Sequence, residues 1–419
     1  MNRVVVIGGG VVGLACAIEL LRDGHAVTVV EPGSPGGEQA ASYGNGTLLN
    51  PSSVVPMSSP GLWKRVPGYL MDPLGPLTIR WSYLPRLLPW LQRFVRAGST
   101  AAKVAATGRA LRPLLADAPA LHRKLAEEAG VGDLVTRQGV LFAFPDRSAF
   151  AAEALAWKVR RDNGVTWLEL DADELRQREP LLDRRYTFGV LVEENGQCRD
   201  PGAYVAALAR HAAGLGAAIL QNGATGFRIT GGRLCAVTTR DGEISCDKAV
   251  IAAGAWSKSL ARAAGDRVLL ETERGYHVVI SGPGIEPRYP LMPSDGKMAC
   301  VMTPAGLRLA GQVELAGLEA APNWRRAEVL LAFARKVYPG LPADLPADRV
   351  KLWMGHRPST PDGLPCLGLA PGCSDVVHAF GHGHVGLTAA AMTGKVVADL
   401  VAGRAPPFDL APYAAARFR

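Results

Sequence analysis

The chain has 419 residues, 48% of them hydrophobic and 20% charged, with a formal net charge of +8. That length is too great for one ordinary core and calls for about two domains. Lysines and arginines are dispersed rather than run together, so no nucleic-acid motif is present and the balance reads as a solvated surface mildly attractive to anions. Seven cysteines form no CxxC pair and no Cys/His cluster with ligand spacing, which excludes a disulfide framework and a metal site. A reducing compartment suits them, and the expected location is cytoplasmic.

The first informative element is a βαβ unit. Val4-Val5-Val6-Ile7 is a β-branched apolar run that predicts a buried parallel strand. Gly8-Gly9-Gly10-Val11-Val12-Gly13 follows, then a helical pattern from Leu14 to Arg22 ended by Gly24. Ala26–Val30 makes a second buried strand closing on Glu31, 18 residues after Gly13. Gly8, Gly10 and Gly13 allow the tight turn, a close approach to a pyrophosphate and close helix–strand packing. The helix start, with Val12, offers free N–H groups to phosphate. Glu31 can accept from a ribose hydroxyl and repels a 2′-phosphate. The uncharged run from Val4 to Ile18 after Arg3 imitates a signal or membrane segment, but its glycines, its strand-type residues and the acid at Glu19 oppose that.

Leu62 to Val95 carries Trp63, Trp81 and Trp90 among Lys64, Arg65, Arg80, Arg86 and Arg93. Two readings stay open: aromatic and cationic residues that seat the chain on an anionic membrane surface, or a helix hairpin packed internally. Ala102 to Ala129 predicts helix interrupted at Pro113 and Pro119. Residues 134–144 and 165–192 predict strands of a roofing sheet. Asp200-Pro201 opens a helix as N-cap and first residue. Gly223 to Ser245 predicts a meander with turns at Gly231-Gly232 and Asp241-Gly242. Ala249–Ile251 then repeats the strand-to-glycine logic, ending at Ala253 and Gly254, and a third such strand end follows at 376–388. Cofactor contacts spread so widely suit a long dinucleotide, FAD rather than NAD.

Gly355-His356-Arg357-Pro358-Ser359-Thr360-Pro361-Asp362-Gly363 resembles the GxRPxTPD stretch of FAD-dependent amine dehydrogenases and oxidases. Phe380-Gly381-His382-Gly383-His384-Val385-Gly386-Leu387-Thr388 resembles that family's glycine turn and flavin-facing helix. Arg274-Gly275-Tyr276-His277 is similar to the RGYH segment of bacterial D-amino-acid dehydrogenases of the small-subunit type. Ser42-Tyr43-Gly44-Asn45-Gly46 resembles their flavin loop. On these motifs the chain is identified as a member of the D-amino-acid oxidase-like flavoproteins.

The resemblance implies an α/β fold: a Rossmann-like FAD-binding domain, assembled from 1–60, 200–268 and 350–419, interleaved with an α+β substrate domain of mixed antiparallel sheet, 61–199 and 269–349. It implies non-covalent FAD held by the glycine turn, Glu31, Ser42, Asn45, Gly46, Ala253, Gly254, Gly381, His382, Gly383, Gly386, Leu387 and Thr388, the last equally a helix cap. Arg357 matches the arginine that forks an α-carboxylate, its bland alternative being a surface ion pair. Tyr276, His277 and Asn45 are further substrate-site candidates. His277, His382 and His384 are each able to act as a base, though an amine entering neutral needs none. The implied activity is D-amino-acid (or D-proline-type amine) dehydrogenation by hydride transfer, giving an imino acid and then a 2-oxo acid, with electrons leaving to a quinone or dye. The alternatives are an oxygen-using amine oxidase and a flavin-carrying electron-transfer subunit without its own substrate site. A membrane quinone would place the enzyme on the inner face of the cell membrane; the oligomeric state is left open.

Overall fold

The computed structural model describes residues 1–72 and 75–418; Pro73, Leu74, Arg419 and the Arg65 side chain lie outside the described residues. Strand Arg3–Ile7 pairs in parallel with Ala26–Glu31 on one side and Lys248–Ile251 on the other. Ala218–Gln221 extends the sheet at one edge; Cys373–Phe380 and an antiparallel Cys366–Ala370 complete six strands at the other. Period-two alternation explains why the first strand is apolar throughout. Val4 and Val6 enter the core beneath helices Val11–Arg22, Pro201–Gly214 and Gly386–Ala402, while Val5 and Ile7 enter a second core beneath the meander Ala224–Ser245.

Helices Val11–Arg22 and Gly386–Ala402 press together at Gly394, where a Cβ would lie 2.6 Å from the Ala15 carbonyl oxygen. The later helix is long and apolar enough to cross a membrane by composition alone. Two-thirds of its residues are buried inside the protein (67%), so it reads as a core helix.

A second sheet of nine strands runs Val350–Ser359, Glu271–Ile280, Gly306–Leu315, Met298–Thr303, Leu291–Pro293, Val140–Phe144, Phe188–Val192 and Leu168–Leu170, with Leu77–Ile79 alongside Gly306–Leu315. Helix Arg325–Val337 covers one face, where Tyr276, Val278, Leu309 and Leu330 share a core. The other face roofs the space above the first sheet's glycine turns. Two expected boundaries shift. Strand Val350–Ser359 belongs to this roofing sheet because it pairs along its whole length with Glu271–Ile280, so the division falls after 359 rather than at 350. Helices Ala101–Leu115 and Ala118–Glu128 pack Val104, Leu111 and Leu125 into the nucleotide-sheet core and not into the roof.

The stretch Leu62–Val95 forms helices Leu62–Met71 and Leu84–Ala97, and it is two-sided. Leu87 and Trp90 are buried, and the Trp90 indole N–H donates to the Ser359 carbonyl at 3.0 Å. Trp63, Trp81 and Met71 point out, 62%, 68% and 77% exposed, so internal packing accounts for only one face of the segment.

Candidate functional site

Between the two sheets lies a cavity of about 1240 Å³. Its floor begins at the first glycine turn, where the glycines divide the work. A Cβ on Gly8 would meet the Ala252 oxygen at 2.3 Å, and one on Gly13 the Gly8 oxygen at 1.9 Å, so both are demanded by backbone packing. Gly10 is different: its Cβ would meet only the Ser42 hydroxyl at 3.4 Å, and it opens onto the cavity. Gly10 also caps helix Val11–Arg22 with no side chain, leaving the positive helix end toward the cavity. Ser42 accepts the Val11 N–H at 3.1 Å and thereby ties the flavin loop to that helix end. Glu31 lies buried at the cavity edge, accepting the Gly9 N–H at 2.7 Å and the Gly33 N–H at 3.2 Å.

At the other end, Gly381, His382, Gly383 and the start of helix Gly386–Ala402 line the same cavity. Val385 caps that helix without a side-chain bond, so a second helix N-terminus is presented to it. Thr388 does not cap its own helix. Its hydroxyl accepts the Asn50 N–H at 3.2 Å and donates to the Leu48 carbonyl at 3.3 Å, joining the helix to the segment beneath it. His382 is buried, held by the Thr393 hydroxyl at 3.0 Å, and burial pushes it down to about 4. Val12, Asn45, Gly46, Ala253, Gly254, Leu387 and Glu31 also line the cavity; of the expected cofactor contacts, Gly13 alone is set back. Asn45 spends its side-chain oxygen on the Thr47 N–H at 2.9 Å, holding Thr47 in a left-handed turn (φ 66°).

Arg357 enters from the roof. Its guanidinium lies flat across Gly275, where a Cβ would fall 2.1 Å from Cζ. Nη1 donates to the Gln312 carbonyl at 2.9 Å and Nη2 to the Gly311 carbonyl at 3.3 Å. Those carbonyls are turned toward it by a bulge in Gly306–Leu315, where buried Gln312 adopts φ 61°, a strained backbone for a side-chain-bearing residue. Burial lowers the Arg357 pKa, opposed by the charge of Glu273. No ion pair joins Arg357 to an acid among the described residues, so the cation in the cavity is capped by neutral groups alone. Such a group suits a carboxylate ligand.

Two expected site residues are placed elsewhere. Tyr276 projects from the opposite face of its strand into the core beneath helix Arg325–Val337, donating to Glu314 at 2.5 Å and accepting the Asn323 N–H at 2.9 Å. His277 stacks on Trp353 with centroids 4.9 Å apart and bonds the Gly44 carbonyl at 3.2 Å. Burial, then the charge of Arg308, pushes His277 down to about 3, so it braces the flavin loop as a neutral ring. Arg274, the neighbouring cation, is fully buried on the carbonyls of Gly317, Ala320 and Ala321 and is no second carboxylate anchor. Sequence reading missed Glu273, Gln312 and Arg308. Arg308 donates to the Tyr43 and Asn45 carbonyls at 3.3 and 3.0 Å, holding the flavin loop from the roof.

Comparison with known proteins agrees with this geometry. A profile of the family described as FAD dependent oxidoreductase matches residues 3–400. The chain is 59% identical to a D-amino-acid oxidase of Bradyrhizobium diazoefficiens, over 100% of this chain and 99% of that protein. It is 32% identical to D-amino acid dehydrogenase 2 of Ralstonia nicotianae, over 99% and 100%. Glycine oxidase from Geobacillus kaustophilus superposes with a TM-score of 0.73 at 25% identity, covering 99% of this chain and 98% of that one. FAD is the cofactor, and the residues fit it: two uncapped helix ends, a glycine that leaves room for phosphate, and an acid at the strand end face one elongated cavity.

Gly10→Leu is expected to fold normally by circular dichroism but to purify without flavin absorbance, because its side chain fills the pyrophosphate space; a yellow variant would remove Gly10 from the site. Gly275→Ala is expected to keep FAD yet raise the substrate concentration for half-maximal flavin reduction at least about tenfold, since its methyl displaces the Arg357 fork. Unchanged substrate dependence in that variant would mean the guanidinium does not hold substrate.

Proposed function

The chain belongs to the family of FAD-dependent oxidoreductases, and from that premise we propose the details of a reaction on D-amino acids. Arg357 carries the reading: a guanidinium bonded only to neutral carbonyls, in the cavity that the cofactor-binding turns line, is a ready partner for an α-carboxylate. A pure electron carrier has no use for it. The carboxylate locks onto the planar fork, which fixes the α-carbon relative to the cavity floor. Bound FAD supplies the two-electron acceptor for the hydride that leaves that carbon. The product imino acid hydrolyses to a 2-oxo acid; a cyclic secondary amine stops at the imine.

For the final acceptor we favour a quinone, with the enzyme cytoplasmic and resting on the inner face of the membrane. The support is the outward face of Leu62–Val95, where exposed Trp63, Met71, Trp81 and Leu88 stand among Lys64, Arg80, Arg86 and Arg93, with Asp72 the one acid in that stretch. The second reading, molecular oxygen as acceptor, is favoured by the name of the 59%-identical relative.

Arg357→Ala is expected to retain FAD while raising the D-amino acid concentration for half-reduction by about 30-fold to several thousand-fold, since losing one partner of a desolvated charge pair costs roughly 2–5 kcal/mol. Lysine at 357 should recover only part of it, lacking the fork. Peroxide yield per flavin turnover in air, measured on wild type, separates the acceptors: stoichiometric peroxide rejects the quinone, and dye reduction without peroxide supports it.

Sedimentation with anionic vesicles checks the membrane reading. Wild type should pellet at low salt and release as salt screens the basic residues. Trp81→Ser with Leu88→Ser should stay soluble with dye-linked activity intact; failure of wild type to pellet rejects the reading.

A further inference from the structure

Three histidines line the cavity, and their partners differ. His382 Nε2 meets the Thr393 hydroxyl at 3.0 Å, and His356 Nδ1 meets the Thr272 hydroxyl at 2.9 Å. His384 alone of the three meets a carboxylate: its Nε2 lies 2.6 Å from Glu273 Oε2. Glu273 sits directly opposite Arg357 in the strand pairing, yet it turns from that cation to the imidazole. The Glu273 side chain is 7% exposed, whereas that of His384 is 34% exposed, and both line the cavity beside Arg357.

This arrangement has a chemical direction. A carboxylate on Nε2 selects the tautomer with the proton there and leaves the lone pair on Nδ1, which makes no hydrogen bond among the described residues. The same carboxylate stabilises the imidazolium that forms when Nδ1 takes a proton, the logic by which a buried acid orients a histidine base. Glu273 is suited to that role. Although burial alone would raise its pKa, His384 and then Arg357 outweigh burial and hold it below the ordinary carboxylate value.

Resting on the D-amino acid reading above, we propose that His384, oriented by Glu273, is the proton acceptor for the ammonium of a substrate anchored through its carboxylate on Arg357. The need for one is elementary. An ammonium nitrogen has no lone pair with which to form the C=N bond, so hydride cannot leave the α-carbon until one N–H proton is gone. In the step, one substrate N–H bond breaks and an Nδ1–H bond forms; no electrons change hands, and the proton later passes to solvent. The carboxylate anchor and the base are brought together by Glu273, which pairs with Arg357 across the strands and with His384 through its carboxylate, and all three line one cavity. For the step to occur, a single zwitterion must span them. Four groups face or flank His384 and bear on its charge. Glu273 favours the cation and Arg357 disfavours it. His356 and His382 are each pushed down to about 4 by burial, so both are neutral across the working range.

The test is anaerobic stopped-flow reduction of the holoenzyme by a D-amino acid between about pH 6 and pH 10, for wild type, His384→Asn and Glu273→Gln. Rate should fall with acid in wild type as the base protonates. In His384→Asn, the rate near neutrality should drop about 10²-fold and its rising limb should move to higher pH, where the amine loses its proton unaided; near the alkaline end the variant should approach wild type. Glu273→Gln removes the counter-charge of the imidazolium, so its limb should move the opposite way, to lower pH, while its plateau rate falls below wild type because the base is weaker. Flavin content, and the affinity for a 2-oxo acid read from the flavin spectrum without turnover, should stay within about twofold in His384→Asn. A pH profile superimposable on wild type, or a loss equal at every pH, overturns the proposal while leaving the substrate reading in place. A wild-type flavin that no D-amino acid reduces removes the substrate reading, and this proposal with it.

Discussion

A positive charge held in the cavity by neutral groups is the interaction around which the site is organised. A guanidinium away from bulk water is costly unless it is hydrogen-bonded, and an acid partner would satisfy it but leave nothing for a ligand. The protein's solution is geometric. Gly275 removes the side chain that would block the fork, and the bulge at Gln312 turns two carbonyls to the guanidinium. The acid across the strand pairing is drawn off by His384. Each of these devices is local, and each sacrifices some backbone or pairing regularity to keep one cation available.

The same economy governs the opposite wall. Two helix N-termini point into the cavity without side-chain caps, where capping would ordinarily stabilise a helix by about 0.5–2 kcal/mol. Ser42 and Thr388 do not cap their helices in the usual way; they lash loop to helix, so the shape of the floor is held by hydroxyl bridges while its positive ends stay open. Roof and floor are coupled through Arg308 and His277, which reach down from the second sheet to the carbonyls of the flavin loop.

How much of this was legible depended on whether a residue acts through its own backbone or through distant neighbours. The glycine turn, the strand alternation around Val4–Ile7, the Asp200 cap and the meander are local facts, and each stands where the sequence puts it; the Asp200 carboxylate accepts the Ala203 N–H at 3.0 Å. Arg357 was readable as a resemblance, but what makes it an anchor, the bare Gly275 surface and the bulge, is tertiary. Tyr276 and His277 show the limit most clearly. Adjacent residues on a strand face opposite ways, so a motif that names both cannot put both in one cavity. Here Tyr276 falls to the helix-covered face, and His277 lies on the cavity side but beyond its edge, under Trp353. Glu273 left no signal, because one acid in the polar run Glu271-Thr272-Glu273-Arg274 means nothing until His384, over a hundred positions later, arrives beside it.

The order of strands in the nucleotide sheet carries a consequence for how the protein comes into being. Its central strand, Arg3–Ile7, is made first, but one neighbour comes from Lys248–Ile251, and that neighbour's outer partner is Cys373–Phe380. The helix that packs over Val6 and Leu14, Gly386–Ala402, is later still. During synthesis the glycine turn therefore emerges long before the surfaces that give it a pocket, and its apolar strand waits unpaired on one edge. Long-range pairing of this kind is slow and leaves sticky edges exposed. Cofactor capture is consequently a late event in the life of the chain, a checkpoint that only a completed molecule passes.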